Sequence, residues 1–170
     1  MTTPTPLPDA ELLYQQLLNQ IKPHAMQQDK LAIVGIYSGG AWIAERLVAD
    51  LALKNKPGYI DVSFYRDDYA AKGLHAEVKP TYIPFEVEGA AIILVDDVLY
   101  TGRTTRAAIN ELFDYGRPAR IMLAALVDRG GRELPVAADF VAHVAHFEPA
   151  VSVHLHRADD GSFSLSIAHA

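Results

Sequence analysis

A chain of 170 residues, half of them hydrophobic in type and 21% charged, suits one globular domain with a sizeable core and is short for two. The absence of cysteine removes disulfides, thiolate nucleophiles and cysteine-bound zinc, leaving carboxylates, basic groups, hydroxyls, histidines and hard cations for any chemistry. A net charge of −6 weighs against general nucleic-acid binding; with no membrane-length apolar stretch and no secretory leader pattern, a cytoplasmic protein is expected.

Residues 1–8 are polar with three prolines, which predicts a flexible lead-in to a single domain over residues 9–170. From Asp9, a suitable N-cap, Leu12, Leu13, Leu17 and Ile21 recur at helical spacing and predict an amphipathic cover helix stopping near Pro23. Residues 31–36 (LAIVGI) read as a short strand, Ser38 to Gly40 as a tight loop, and residues 41–53 as a second amphipathic helix. Residues 59–65 (YIDVSFY) alternate like a strand. The polar stretch 66–89 is too long for an ordinary connection, and its β-like part, residues 82–87, predicts a hairpin flap. Residues 91–95 form a continuous apolar run, expected as a strand buried on both faces, with a helix over residues 103–115 and a further strand over residues 120–127. In the tail, DFVAHVAHF, VSVHLHR and SFSLSIA are short β-type runs, the last two joined by the turn ADDG. Together they predict a small antiparallel piece on a doubly wound parallel core.

The chemistry concentrates in residues 91–106, AIILVDDVLYTGRTTR. Asp96 and Asp97 stand at the carboxyl end of a strand, where open α/β sheets bind their ligands. Tyr100, Thr101, Gly102, Arg103 and Thr104 then supply a glycine for close approach, hydroxyl donors and a helix start with partial positive charge, which make a phosphate cradle. Paired acids above an anion cradle fit a phosphorylated sugar. The acids alone are equally well a solvated edge or a cap; the adjoining loop decides for a site. Arg103, a cation unhelped by the dipole at a helix start, leans toward a ligand contact. His154 and His156 share a strand face without a third metal ligand at a recognised spacing, which favours an exposed face. Trp42 and Phe113 read as core or interface residues, and His75 as exposed.

The string ILVDDVLYTGRTTRA resembles the phosphoribosyl diphosphate motif of type I phosphoribosyltransferases. With DVSFYRDD (61–68), LFDYGRPA (112–119) and LVDRGGRELP (126–135) in the same order, the chain is similar to the PyrR family of pyrimidine operon regulators and uracil phosphoribosyltransferases. The resemblance implies a parallel sheet flanked by helices, a β-flap over the site and a small antiparallel C-terminal piece. It implies uracil, phosphoribosyl diphosphate and UMP as ligands, and Asp96 and Asp97 on the ribose hydroxyls. The substrate-binding stretch would run from Val98 and Leu99 through Tyr100 to Thr104 on the 5-phosphate. Ser38, Gly39 and Gly40 would receive the diphosphate, with Arg66 on the flap as its second contact while Asp67 and Asp68 stay solvated. Arg129 would wall a base pocket that reads uracil largely through main-chain groups. Mg²⁺ is the implied cofactor, held by substrate oxygens and at most indirectly by Asp96 and Asp97, and a homo-oligomer is the implied assembly.

Two features depart from the family pattern. The diphosphate loop, Ser38-Gly39-Gly40, lacks the basic residue that many members carry. The family's second role, binding a messenger RNA leader to control pyrimidine genes, needs a basic face, whereas no Lys or Arg follows Pro135 until Arg157 and the region of the first helix offers Lys22 and Lys30. An enzyme is therefore the first reading, and a non-catalytic nucleotide-sensing regulator that binds RNA is its rival. A receiver domain of signalling proteins also pairs acids at a strand end, but a suitably placed later lysine is missing and the loop would be unexplained.

Overall fold

Continuous apolar runs build the centre of the molecule, because a strand covered on both faces has no polar side to show. In the computed structural model, which describes residues 6–28, 30–62 and 81–169, these runs form a five-stranded parallel sheet. Its strands are β1 (Leu31–Ile36), β2 (Gly58–Ile60), β3 (Ala91–Leu99), β4 (Arg120–Asp128) and β5 (Phe140–Val144), in the order β2-β1-β3-β4-β5. Parallel register is explicit: Leu31 stands opposite Ala91, Ala91 opposite Arg120, and Ala124 opposite Phe140.

Strand alternation divides the runs between two cores. Leu31 and Ile33 of β1, Ala91, Ile93 and Val95 of β3, and Met122, Ala124 and Leu126 of β4 face one side. There they meet Leu13, Tyr14, Leu17 and Ile21 of α1 (Ala10–Ala25) and Ile43 and Leu47 of α2 (Gly39–Asp50). Val34, Ile36, Ile92, Leu94, Leu123 and Ala125 face the other side, against Ala107, Ala108 and Leu112 of α3 (Arg103–Phe113). Each fully buried Leu or Ile contributes about 1.5–3 kcal/mol relative to exposure. The alternation slips beside the acids, where Val98 packs on the α1 and α2 side and Leu99 on the α3 side.

The C-terminal strands β6 (Val151–Arg157) and β7 (Phe163–His169) form an antiparallel hairpin through the expected Ala158 to Gly161 turn. Leu155 and Phe163 bury against the α1 face, with the Phe163 ring edge-on to Tyr14 at 5.8 Å.

Five expectations need correction. The segment DFVAHVAHF does not join the antiparallel piece; its β5 pairs parallel with β4. Asp139 fixes the register, its carboxylate accepting the Leu123 N–H and its own N–H reaching the Leu123 carbonyl, both at 2.8 Å. Helix α1 continues through Pro23 to Ala25. Helix α2 starts at Gly39, inside the expected loop, and ends at Asp50. β3 runs past Val95 through both acids to Leu99. Residues 82–87 hold a single antiparallel bridge, Tyr82 to Tyr59, rather than a strand. The rest of the proposed flap, with Arg66, Asp67, Asp68 and His75, lies outside the described residues. No described helix is long and apolar enough to cross a membrane.

Candidate functional site

The carboxyl ends of β1 and β3 open onto a cleft of about 140 Å³ that brings Tyr37, Asp96, Asp97, Tyr100, Thr104 and Arg129 together. Larger hollows lie elsewhere, about 440 Å³ beside Trp42 and Arg157 and about 530 Å³ beside Lys30 and Lys54. Neither combines paired acids with a phosphate-type loop, so chemistry rather than size singles out the smaller cleft.

Asp96 is buried and Asp97 half-buried. Each carboxylate accepts the next residue's N–H, Asp97 N–H to Asp96 Oδ1 at 2.9 Å and Val98 N–H to Asp97 Oδ1 at 2.8 Å. These bonds pin the side chains to their own strand and orient the remaining oxygens. The first turn of α2 presses directly on this strand. A methyl added to Gly39 would land on the Asp97 carboxylate, and one added to Gly40 on the Val95 carbonyl. The small residues of the loop are therefore required by close approach of backbone to β3. The Tyr37–Ser38 peptide bond is cis, and the Ser38 hydroxyl makes no capping bond to α2. Burial first, then the nearby charges of Glu45 and Asp61, push the Tyr37 hydroxyl pKa upward.

After β3 the chain turns at Gly102, whose φ of +94° is a left-handed conformation that favours glycine. Thr101 is buried, and its hydroxyl accepts the Arg103 N–H at 3.2 Å, which leads the chain into α3. Its carbonyl accepts the N–H groups of Glu133 and Leu134 at 2.9 and 3.1 Å, tying the loop to the segment after β4. The Thr105 hydroxyl is buried without a partner in the first turn of α3.

Arg132 locks these two segments together. Its guanidinium donates to the Tyr100 carbonyl and the Val136 carbonyl, both at 2.7 Å, and to the Asp128 carboxylate at 2.5 Å. Burial works to raise the Asp128 pKa. The Arg132 bond, the Gly130 N–H at 3.0 Å and the Arg132 charge outweigh it and hold the carboxyl below its ordinary range. Arg129 is buried, its guanidinium 4.0 Å above the Tyr100 ring and its Nη2 donating to the Glu148 carbonyl at 3.0 Å, while Nε has no partner.

The expected residues are thus largely one constellation: Ser38 to Gly40 abut Asp97, and Asp96, Asp97, Val98, Tyr100, Thr104 and Arg129 line the cleft. Leu99 has its side chain in the core and offers the site only backbone; its carbonyl accepts the Arg129 N–H. Arg103 pairs with Glu133 at 3.2 Å, both side chains about half exposed, a pair worth ~0–1 kcal/mol. Phe113 is 55% exposed and so not core, whereas Trp42 is partly buried beneath the Arg157 guanidinium. Sequence reasoning missed Arg132, Ser152 and His154. Alternation along β6 put Ser152, His154 and His156 on one face, but only the docked hairpin brings the first two to the cleft. Among the described residues no three His, Asp or Glu side chains converge as a metal site.

The chain matches the phosphoribosyl transferase domain over residues 7–155. It is 45% identical over 170 residues to the Bifunctional protein PyrR of Nitrosococcus oceani, covering 97% of this chain and 96% of that one. It is 58% identical over 135 residues to that of Ralstonia nicotianae (78% and 77% covered), and 47% over 137 residues to that of Pseudomonas aeruginosa (79% and 81%). Among solved structures it is similar to a hypoxanthine-guanine phosphoribosyltransferase from Bacillus anthracis, with a TM-score of 0.63, 18% identity, and 89% and 88% of the two chains covered. A hypoxanthine phosphoribosyltransferase from Trypanosoma cruzi gives 0.62, 21%, and 86% and 82%. At that identity the structural likeness concerns the fold. With its acid pair and phosphate-type loop on this fold and close relatives along nearly its whole length, the chain belongs to the PyrR family of phosphoribosyltransferases.

Proposed function

We propose that this protein is a uracil phosphoribosyltransferase, joining uracil to phosphoribosyl diphosphate to give UMP and diphosphate. The observation that carries this reading is the run from Asp96 to Thr104, two carboxylates at a strand end followed at once by a glycine-turned loop at a helix start, on one cleft. In the reaction the bond from ribose C1 to the diphosphate oxygen breaks, C1 bonds to N1 of uracil, and the N1 proton passes to solvent. Positive charge develops on the ribose and negative charge on the leaving group. Asp96 and Asp97 hold the ribose hydroxyls and favour the cationic sugar. Tyr100 to Thr104 hold the 5-phosphate with backbone and hydroxyl donors. The backbone of Ser38, Gly39 and Gly40 receives the diphosphate, with Arg66 as its second contact, and Arg129 walls the base pocket. Orientation and electrostatics, rather than proton transfer, supply most of the acceleration.

The donor set fits Mg²⁺, since Asp96 and Asp97 bring hard carboxylate oxygens without a protein cage among the described residues, and this cation keeps substrate oxygens and water in its shell. When bound, it neutralises charge on the diphosphate. On this reading the reaction runs in the cytoplasm, and half-exposed Phe113 and Tyr115 support a homo-oligomer. Diphosphate release from purified protein with uracil, phosphoribosyl diphosphate and Mg²⁺ tests the reading; no turnover would overturn it.

The relatives' name, Bifunctional protein PyrR, favours a second activity, control of pyrimidine genes through an RNA leader. The acidic net charge opposes it. Gel retardation across several salt concentrations decides, and affinity equal to that for unrelated RNA counts against regulation.

A further inference from the structure

The cleft has a wall that the ribose, phosphate and diphosphate contacts leave unused. It is made by β6, where Ser152 and His154 line the same hollow as Asp97, Tyr100 and Arg129. Residues 152–154 all line the hollow: Val153 is buried, while Ser152 and His154, on the other face of the strand, present polar groups at its rim. Once the sugar phosphate is assigned to the acids and the loop, the base is left with Arg129 as its one assigned wall. We infer that His154, steadied by Ser152, contacts the base and determines which pyrimidine is accepted. This inference rests on the uracil phosphoribosyltransferase reading.

The hydrogen bonds define what His154 offers. The Ser152 hydroxyl lies 2.9 Å from His154 Nε2 and donates to the Ala168 carbonyl at 3.4 Å. A hydroxyl has one proton, so with that proton on Ala168 it accepts the Nε2–H, and in that tautomer the ring lone pair lies on Nδ1. Nδ1 then accepts a ring N–H. Arg129, which lines the same hollow, has only donors. An acceptor and a donor in one hollow match uracil, whose N3–H is flanked by carbonyls. Cytosine presents a lone pair at N3 and an amino group at C4, so the acceptor loses its N–H and a donor aimed at the C4 oxygen meets an N–H₂ instead. A site built around a substrate N–H rejects the analogue lacking it because its own polar group is left unpaired.

Steady-state kinetics on the full chain test this, with uracil or cytosine as acceptor. His154→Ala is expected to raise KM for uracil about tenfold, the loss of roughly one buried hydrogen bond. It should also narrow the preference for uracil over cytosine, with KM for phosphoribosyl diphosphate and Tm unchanged. His154→Asn, whose side-chain oxygen takes roughly the place of Nδ1, should restore part of the uracil affinity. His156→Ala is the control, on the same strand face but bonded to Ser166 at 2.6 Å and outside the hollow; it should behave as the wild type. Unchanged uracil kinetics in His154→Ala, or a rise confined to KM for phosphoribosyl diphosphate, overturns the inference while leaving the enzyme reading intact. A wild type that turns over no uracil overturns the enzyme reading itself.

Discussion

Replacing Arg132 by Met keeps an apolar stem and removes the guanidinium donors that help join the phosphate loop to the segment after β4. Three acceptors lose their partner together: the carbonyls of Tyr100 and Val136 and the carboxylate of Asp128. The Arg132 and Asp128 side chains are 24% and 17% exposed, so water only partly replaces what is lost. Removing one partner of a buried ion pair costs ~3–5 kcal/mol, and the residual exposure puts this site at the lower end, about 3 kcal/mol. For a chain of this length that is a fall in Tm of about 6–12 °C, read by thermal unfolding. Arg132→Lys, which reaches one acceptor but lacks the planar fork, should recover only part. The pH dependence carries a sign. The Asp128 pKa is depressed in the folded state, so its contribution is complete above the unfolded value near ~3.9 and lost as pH falls through the folded value. The gap between wild type and Arg132→Met should therefore be full at pH 7 and shrink below about pH 4. Because the Tyr100 carbonyl is released, KM for phosphoribosyl diphosphate should rise more than KM for uracil. A loss of stability under ~1 kcal/mol, or a gap that persists undiminished at low pH, would refute this account of the clasp.

Asp96→Asn and Asp97→Asn should each lower turnover about a hundredfold with little change in Tm, because the amides keep the shape and lose the charge; unchanged kcat in both would place the sugar elsewhere. Gly39→Ala should displace either Asp97 or the start of α2, lowering activity and costing about 1–3 kcal/mol in urea unfolding. A wild-type unfolding midpoint would contradict the close approach. Gly102→Ala forces a left-handed backbone on a residue with a Cβ, at about 1–2 kcal/mol, and should weaken binding of ribose 5-phosphate in calorimetry; equal affinity would separate the loop from the phosphate.

The parallel core was legible because residues 31–36, 91–95 and 120–127 are unbroken apolar runs, a pattern that doubly covered strands require. So was the union of acid pair and phosphate loop, since both lie within one short stretch of chain. Strand β5 was not, because its alternation reads equally well as an antiparallel edge, and its direction is decided at a distance by Asp139 against Leu123. Helix α1 outlasts Pro23 by two residues, to Ala25 with Met26 as C-cap, so the ring does not mark the helix end itself. Glycines 39 and 40 looked like a loop because their reason is external: the facing β3 strand leaves no space for side chains. Ser152 and His154 carried no local signal beyond a shared strand face. Their role arises when Leu155 and Phe163 anchor the hairpin and swing the other face of β6 over the cleft.

The central claim is that Asp96, Asp97 and the following loop hold phosphoribosyl diphosphate. Calorimetric titration of that compound, with Mg²⁺, into the wild type and into the double variant Asp96→Asn/Asp97→Asn tests it most directly. Saturable binding by the wild type, weakened tenfold or more in the folded double variant, is the predicted result; equal affinity in the two proteins would contradict it.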